Sequence, residues 1–172
     1  MAFRIRFGLS FLRGGMKKRN KKYIPKKVNL TAHLVAIQGV MLLSIKDQRD
    51  LFKSALCALN AMQYGVDVTT SDFTTLCDVI NVSLLLTKRG IGREYLPELY
   101  KARDGMYRAR CRYKETSRLG FDAEALTDIK EAFEVHQAQL EICTYKEFTD
   151  AFNTQDARIA KGETYKGNRV IA

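Results

Sequence analysis

The chain has 172 residues, 46% of them hydrophobic, so it is long enough for one domain with a buried core and too short for two comfortable ones. Its net charge of +10 comes from residues 1–27, which hold ten Lys or Arg and no acid, whereas the remaining residues carry nineteen charges of each sign. The longest apolar run, residues 30–43, is interrupted by polar side chains and is too short to cross a bilayer, so we expect no membrane span.

Residues 1–15 contain three Arg, no acid and spaced Phe and Leu, a composition found in targeting segments. A secretory signal needs a continuous apolar stretch and a small-residue cleavage site, and this segment has neither. Two interpretations stay open. Residues 1–15 are either a genuine N-terminal extension or the product of reading upstream of a true start at Met16.

Residues 16–27 form the most unusual stretch of the sequence, with seven cations and no acid. Like charges at this density repel one another and Pro25 blocks helix propagation, so we predict a disordered or extended basic arm. Tyr23 is placed to stack on a nucleobase, as aromatic residues between cations do in single-strand binding. The candidate nucleic-acid-binding residues of the arm are Lys17, Lys18, Arg19, Lys21, Lys22, Tyr23, Lys26 and Lys27. A solubilising tail or a trafficking signal is the alternative.

Residues 28–161 have the periodicity of an all-α domain, which we predict to be a single compact bundle of five to six helices. Within it, residues 34–42 predict a short, mostly buried helix. Residues 79–86 are apolar on most sides, which favours a helix through the middle of the bundle and leaves a buried strand as an alternative. Residues 162–172 are polar and contain Gly, so we expect a frayed tail.

Helix ends are signalled by capping chemistry. Ser44 and Asp122 are each followed by helical periodicity and are expected N-caps. Thr144 and Glu147 have the spacing of a capping box for the last helix. Gly65 is expected to end the helix that Ser44 begins.

The helix predicted after Gly92 is the second candidate binding element, because residues 88–118 contain ten basic and four acidic side chains. Helical spacing places its cations on two flanks of an apolar stripe formed by Leu99, Ala102, Met106, Ala109 and Tyr113. One flank holds the candidate residues Arg103, Tyr107, Arg110, Lys114 and Arg118, and the other holds Lys101, Arg108 and Arg112. Such a helix can lie along a phosphate backbone. The alternative is an ordinary solvated outer face.

Catalytic and metal-binding patterns are missing from the sequence. The four Cys lack metal-ligand spacing, and three of them fall within apolar helical patterns that suit buried thiols in a reducing cytoplasm. His136 falls on an apolar helical face, where a hydrogen-bonded core residue is expected. Glu124, Asp128 and Glu131 share a face that is expected to be solvated. No nucleotide-binding loop, hydrolase or zinc-protease motif occurs, so we expect no enzymatic activity and no cofactor.

Residues 18–33, KRNKKYIPKKVNLTAH, resemble the start of small uncharacterised proteins of bacteriophages, prophages and plasmids that open with K-R-N-K-x-Y-x-P. The resemblance implies a mobile element in a bacterial cytoplasm and supplies no catalytic residue. In that family the motif lies at the N-terminus, which favours Met16 as the start.

The sequence therefore predicts a non-enzymatic protein that binds nucleic acid or a nucleoprotein complex through the arm and the basic helix flank. The alternative is a protein-binding inhibitor of host defence, similar to anti-CRISPR proteins, that docks on a host nucleoprotein machine.

Overall fold

A computed structural model describes residues 36–65 and 68–167, and its elements are helical. The helices are α1 (Ile45–Tyr64), α2 (Thr70–Lys88), α3 (Leu96–Thr116), α4 (Ala123–Ile142) and α5 (Tyr145–Ala160), with a 3₁₀ turn over Arg93–Tyr95. A further helical turn covers residues 36–40. Within the described ranges no strand forms, and the only strand-like pairing is a bridge between Leu42 and Thr144. The all-α bundle is confirmed, and residues 79–86 are helical.

The predicted helix caps are present. The side chains of Ser44 and Asp122 accept hydrogen bonds from backbone N–H groups of α1 and α4. Thr144 and Glu147 form a reciprocal capping box at the start of α5. Gly65 adopts a left-handed conformation and its N–H closes the last turn of α1. Local sequence therefore sets where these helices begin and end.

Helix α2 is the central helix, since it contacts α1, α3, α4 and α5. Leu76, Ile80 and Leu86 are among its fully buried side chains. A helix surrounded in this way must be apolar on most sides, which explains the long apolar run in its sequence.

A small polar cluster lies inside this apolar core between α2 and α4. His136 Nδ1 is 2.8 Å from the hydroxyl of Ser83. The side-chain amide of Gln139 donates to the carbonyl of Ser83, the hydroxyl of Thr87 and the carbonyl of Ile91. Burial lowers the pKa of His136 to about 4, so the ring is neutral at physiological pH. The expected hydrogen-bonded core histidine is confirmed.

Residues 34–42 were predicted to form a short, mostly buried helix. For the part of this segment that the structure describes, the prediction of burial is wrong. Ile37, Val40, Met41 and Leu42 are each more than half exposed. The backbone explains this: Tyr145 N–H donates to the carbonyl of Met41 and Leu43 N–H donates to that of Cys143, which holds the segment across the end of the bundle. Of the described residues 36–43, Leu43 alone is buried in the core.

Candidate nucleic-acid interface

Helix α3 carries the predicted basic flank, and its packing decides which cations are available. Leu99, Ala102, Met106 and Ala109 are buried as predicted, whereas Tyr113 is more than a third exposed. Gly105 lies so close to α4 that an added Cβ would be 2.8 Å from the Cβ of Ala125. This close crossing brings the first turn of α4 beside the middle of α3.

We call Arg108 and Arg112 the paired flank, because both bind carboxylates of α4. Asp122 is 3.3 Å from Arg108 and 3.2 Å from Arg112, and Glu124 is 3.4 Å from Arg108. The pKa of Asp122 is lowered, first by the hydrogen bond from the backbone N–H of Ala125 and further by Arg108, although burial opposes the shift. Asp122 therefore caps α4 and forms ion pairs with two arginines at once, and Glu124 supplies the second negative charge.

The opposite face of α3 is the open flank, which we define as Arg110 and Lys114 together with Lys166 of the C-terminal segment. Throughout the described residues, each ion pair within 4.0 Å involves Arg108 or Arg112. Among the described residues, Arg110, Lys114 and Lys166 therefore form no ion pair within that distance. Unpaired cations in a shared depression attract anions more effectively than paired ones.

Arg103, a predicted member of this face, has a different environment. Its guanidinium stacks over the rings of Tyr100 and Tyr165, at 4.7 Å and 3.7 Å from their centroids. Its Nε is buried and has no hydrogen-bond acceptor among the described residues. Arg103 is thus held in place by aromatic rings and keeps one donor unsatisfied.

The expectation of a frayed tail is wrong at residue 165. The Tyr165 hydroxyl donates to Asp104, and its ring packs edge-on against Tyr107 with centroids 5.8 Å apart. These contacts, together with the stacked guanidinium of Arg103, anchor residues 163–167 along α3. We call residues 163–167 the C-terminal strap. A polar, Gly-containing composition predicts fraying only when no aromatic side chain finds a packing site, and Tyr165 finds one.

Two adjoining cavities lie between α3 and the strap. The inner cavity, of about 290 Å³, is bounded by α2, α3, α5 and the strap, and its polar lining includes Asp78, Asn81 and Gln155. Burial raises the pKa of Asp78, opposed by a hydrogen bond from Gln155. The outer cavity, of about 410 Å³, is lined by Tyr107, Arg110, Cys111, Lys114, Thr164, Tyr165 and Lys166, with no carboxylate. The outer cavity is therefore the more favourable place for an anion.

The structure brings together some of the sequence-predicted site residues. Tyr107, Arg110 and Lys114 line the outer cavity, while Arg103 lines the inner one. Arg118 is not with them, because α3 ends at Thr116 and Ser117 takes a left-handed conformation that turns the chain. The arm residues Lys17, Lys18, Arg19, Lys21, Lys22, Tyr23, Lys26 and Lys27 lie outside the described residues.

Sequence reasoning missed Lys166, Tyr165, Asp78 and Gln155. The aromatic residue in an otherwise polar tail was the one local signal, since a lone Tyr in such a tail often anchors it. Asp78 and Gln155 come from helices that meet only in the folded chain, so no spacing rule links them.

The cysteines do not form a site. Cys143 is buried and matches the expected buried thiol, whereas Cys77 and Cys111 are partly buried and Cys57 is exposed. Burial raises the pKa of the Cys77 thiol to about 12. In residues 36–65 and 68–167, no group of His, Cys, Asp or Glu has the arrangement of a metal site. No helix in those same ranges is both long and apolar enough to cross a membrane.

Comparisons of the chain with protein-family models, with curated proteins and with solved structures give no match.

Proposed function

We propose that the protein binds nucleic acid, alone or within a nucleoprotein complex, through the basic arm and the open flank. One observation carries the proposal: positive charge occurs without neutralising acids in two places. Residues 1–27 have ten cations and no carboxylate, and the outer cavity is lined by three cations and no carboxylate. A globular surface that needs only solubility mixes both signs, as the paired flank does.

The mechanism is electrostatic. Each Lys or Arg that neutralises a phosphate releases a condensed counterion, so affinity falls steeply with salt and depends weakly on sequence. The arm provides most of this attraction because it has seven cations in residues 16–27. The open flank provides a fixed contact, since Arg110 and Lys114 project from a rigid helix beside Lys166.

The test is a salt titration of binding to single- and double-stranded DNA and RNA. A full-length variant with the seven arm cations replaced by Gln should lose affinity and flatten the plot of log affinity against log salt by up to about seven units. A chain beginning at Val28 should behave in the same way. Equal affinity and equal slope for the native and neutralised arms would contradict the role of the arm.

A second function, inhibition of a host defence protein by direct docking, is favoured by a separate observation. Apolar side chains gather where residues 41–43 meet residues 143–145, and each is more than half exposed. The members of this exposed apolar patch are Ile37, Val40, Met41, Leu42, Ile45, Ile142 and Tyr145. Exposed apolar patches of this kind mark protein contacts more often than nucleic-acid contacts.

The two functions are separable by a pull-down from bacterial lysate after nuclease treatment. A stoichiometric protein that survives nuclease, and that is lost with Val40→Asp and Met41→Asp but kept by the Gln-substituted arm, favours docking. Loss of all captured material on nuclease treatment favours nucleic-acid binding.

A further inference from the structure

The inner and outer cavities are parts of one depression with two chemistries. They share Tyr107, Arg110, Thr164 and Tyr165, so a ligand can occupy both at once. The outer part is lined by cations without a carboxylate. The inner part has apolar walls, including Phe73, Ile80, Met106 and Ile159, with hydrogen-bonding side chains between them.

The charges fix the orientation of an occupant. In the inner cavity the carboxylates of Asp78 and Glu163 offset the cations Arg103 and Arg110. The outer cavity has Lys114 and Lys166 beside Arg110 and no carboxylate, so a phosphate is favoured there. The inner cavity also offers the amides of Asn81 and Gln155, which can donate to and accept from the edge of a heterocycle.

The size of the inner cavity limits the kind of occupant. Its volume of about 290 Å³ is at the small end for ligand pockets, which suits a single ring system better than a large cofactor.

We propose that this depression binds one nucleoside monophosphate unit, with the phosphate against Arg110, Lys114 and Lys166 and the unpaired base in the inner cavity. If the unit is one nucleotide of a bound single-stranded nucleic acid, the inference rests on the proposed function. A free nucleotide offers the same chemistry and is the other source. A paired base cannot enter, because its edge is already occupied by its complement.

The test compares a single-stranded 12-mer with an abasic 12-mer of equal phosphate number. The native protein should bind the base-containing strand about tenfold more tightly, with the same salt slope, because one stacked base accounts for the difference. Thr74→Trp fills the mouth of the inner cavity from an exposed helical position and should remove this preference. Ser71→Trp, one turn earlier on α2 and outside the cavity, is the matched control and should keep it.

Duplex binding separates a lost pocket from a misfolded protein. Thr74→Trp should bind a duplex as well as the native protein does, and should unfold at the same urea concentration as Ser71→Trp. If Thr74→Trp keeps the preference for the base-containing strand, that preference belongs to another residue, such as Tyr23 of the arm. This result would overturn the proposal.

The source of the unit is decided by competition with each of the four nucleoside 5′-monophosphates. If a monophosphate displaces the labelled strand and Thr74→Trp abolishes this displacement, the ligand is a free nucleotide. If strand binding depends on the bases but no monophosphate displaces the strand, the ligand is a nucleotide within a strand. Equal binding of both strands without monophosphate binding overturns the nucleotide pocket and leaves the proposed function standing. Monophosphate binding without any strand binding overturns the proposed function alone.

Discussion

The two flanks of α3 both carry cations, but they differ in whether those cations form ion pairs within the fold. Arg108 and Arg112 end against Asp122 and Glu124, so their charge is used within the fold. Arg110 and Lys114, on the other side of the same helix, line the outer cavity, to which the C-terminal strap adds another cation, Lys166. Cations that have carboxylate partners act on stability, whereas cations left together without partners are available to a ligand.

The difference between the flanks arises from the elements that cover them. The paired flank lies beside the N-terminus of α4, where a capping carboxylate is favoured on its own account. The open flank lies beside a strap anchored by an aromatic ring, which needs no acid beyond Asp104. The same helix therefore offers a structural side and a candidate binding side.

Among tests of the difference between the two flanks, the largest expected effect is on ligand affinity at the open flank. Replacing Arg110, Lys114 and Lys166 together by Gln should lower affinity for a single strand on the order of 100-fold at 0.1 M salt and flatten the salt slope by about two units. Filter binding or fluorescence anisotropy over a salt series measures both quantities.

The matched control for that experiment is Arg108→Gln with Arg112→Gln. It removes the same type of charge from the same helix, and it should leave the salt slope unchanged. A slope that flattens equally in both variants would remove the distinction between the flanks.

The next effect is on stability at the paired flank. Asp122→Ala removes the α4 cap and the carboxylate shared by two partly exposed arginines, so the free energy of unfolding should fall by about 1 to 2 kcal/mol. Urea unfolding measures it, with the exposed Asp150→Ala on α5 as the control. A change below about 0.5 kcal/mol, or weaker nucleic-acid binding by the folded fraction, would contradict the assignment.

A smaller effect of the same carboxylate appears with pH. Because the folded protein lowers the pKa of Asp122, its stabilisation is present above the ordinary value of 3.8 and is lost as the pH falls through the folded value. The free energy of unfolding should therefore fall more for the native protein than for Asp122→Asn between pH 5 and pH 2.5. The loss should be less than that caused by Asp122→Ala, since a protonated Asp still accepts from Ala125.

Comparison with Asp122→Asn also removes the effect of His136. Its pKa is lowered to about 4 by burial, so it destabilises the fold as the pH falls from about 6.5 to 4 in both proteins alike. An equal pH dependence in the two proteins would show that Asp122 contributes nothing through its charge.

The smallest expected effect concerns the strap. Tyr165→Phe keeps the ring over Arg103 and removes the hydrogen bond to Asp104, which should cost about 0.5 to 1 kcal/mol. The control is Tyr145→Phe, which changes an exposed Tyr outside the strap. It should lower the free energy of unfolding by less than Tyr165→Phe does. Equal effects would mean that the strap is held by the ring alone.

Much of the fold was predictable because helix formation is local. The N-caps at Ser44, Asp122 and Thr144 and the left-handed stop at Gly65 are set by a few neighbouring residues. The apolar run of α2 also predicted its central position, because a helix that is apolar on most sides must be surrounded by other elements.

The burial of short apolar segments was less predictable. Ile37 and Val40 are residue types usually found in protein cores. The backbone pairing of residues 41–43 with residues 143–145 nevertheless leaves them exposed. That pairing joins segments a hundred residues apart, and hydrophobicity alone does not specify it.

The sequence by itself determined that charge is segregated, that the domain is helical and that α3 carries cations on two sides, because composition and periodicity are properties of neighbouring residues. Only the tertiary structure decided which of those cations stay unpaired. The N-terminus of α4 packs beside one flank and Tyr165 packs beside the other, and both contacts join residues distant in sequence. Proximity in space, which spacing along the chain does not encode, therefore separates the structural arginines from the candidate binding cations.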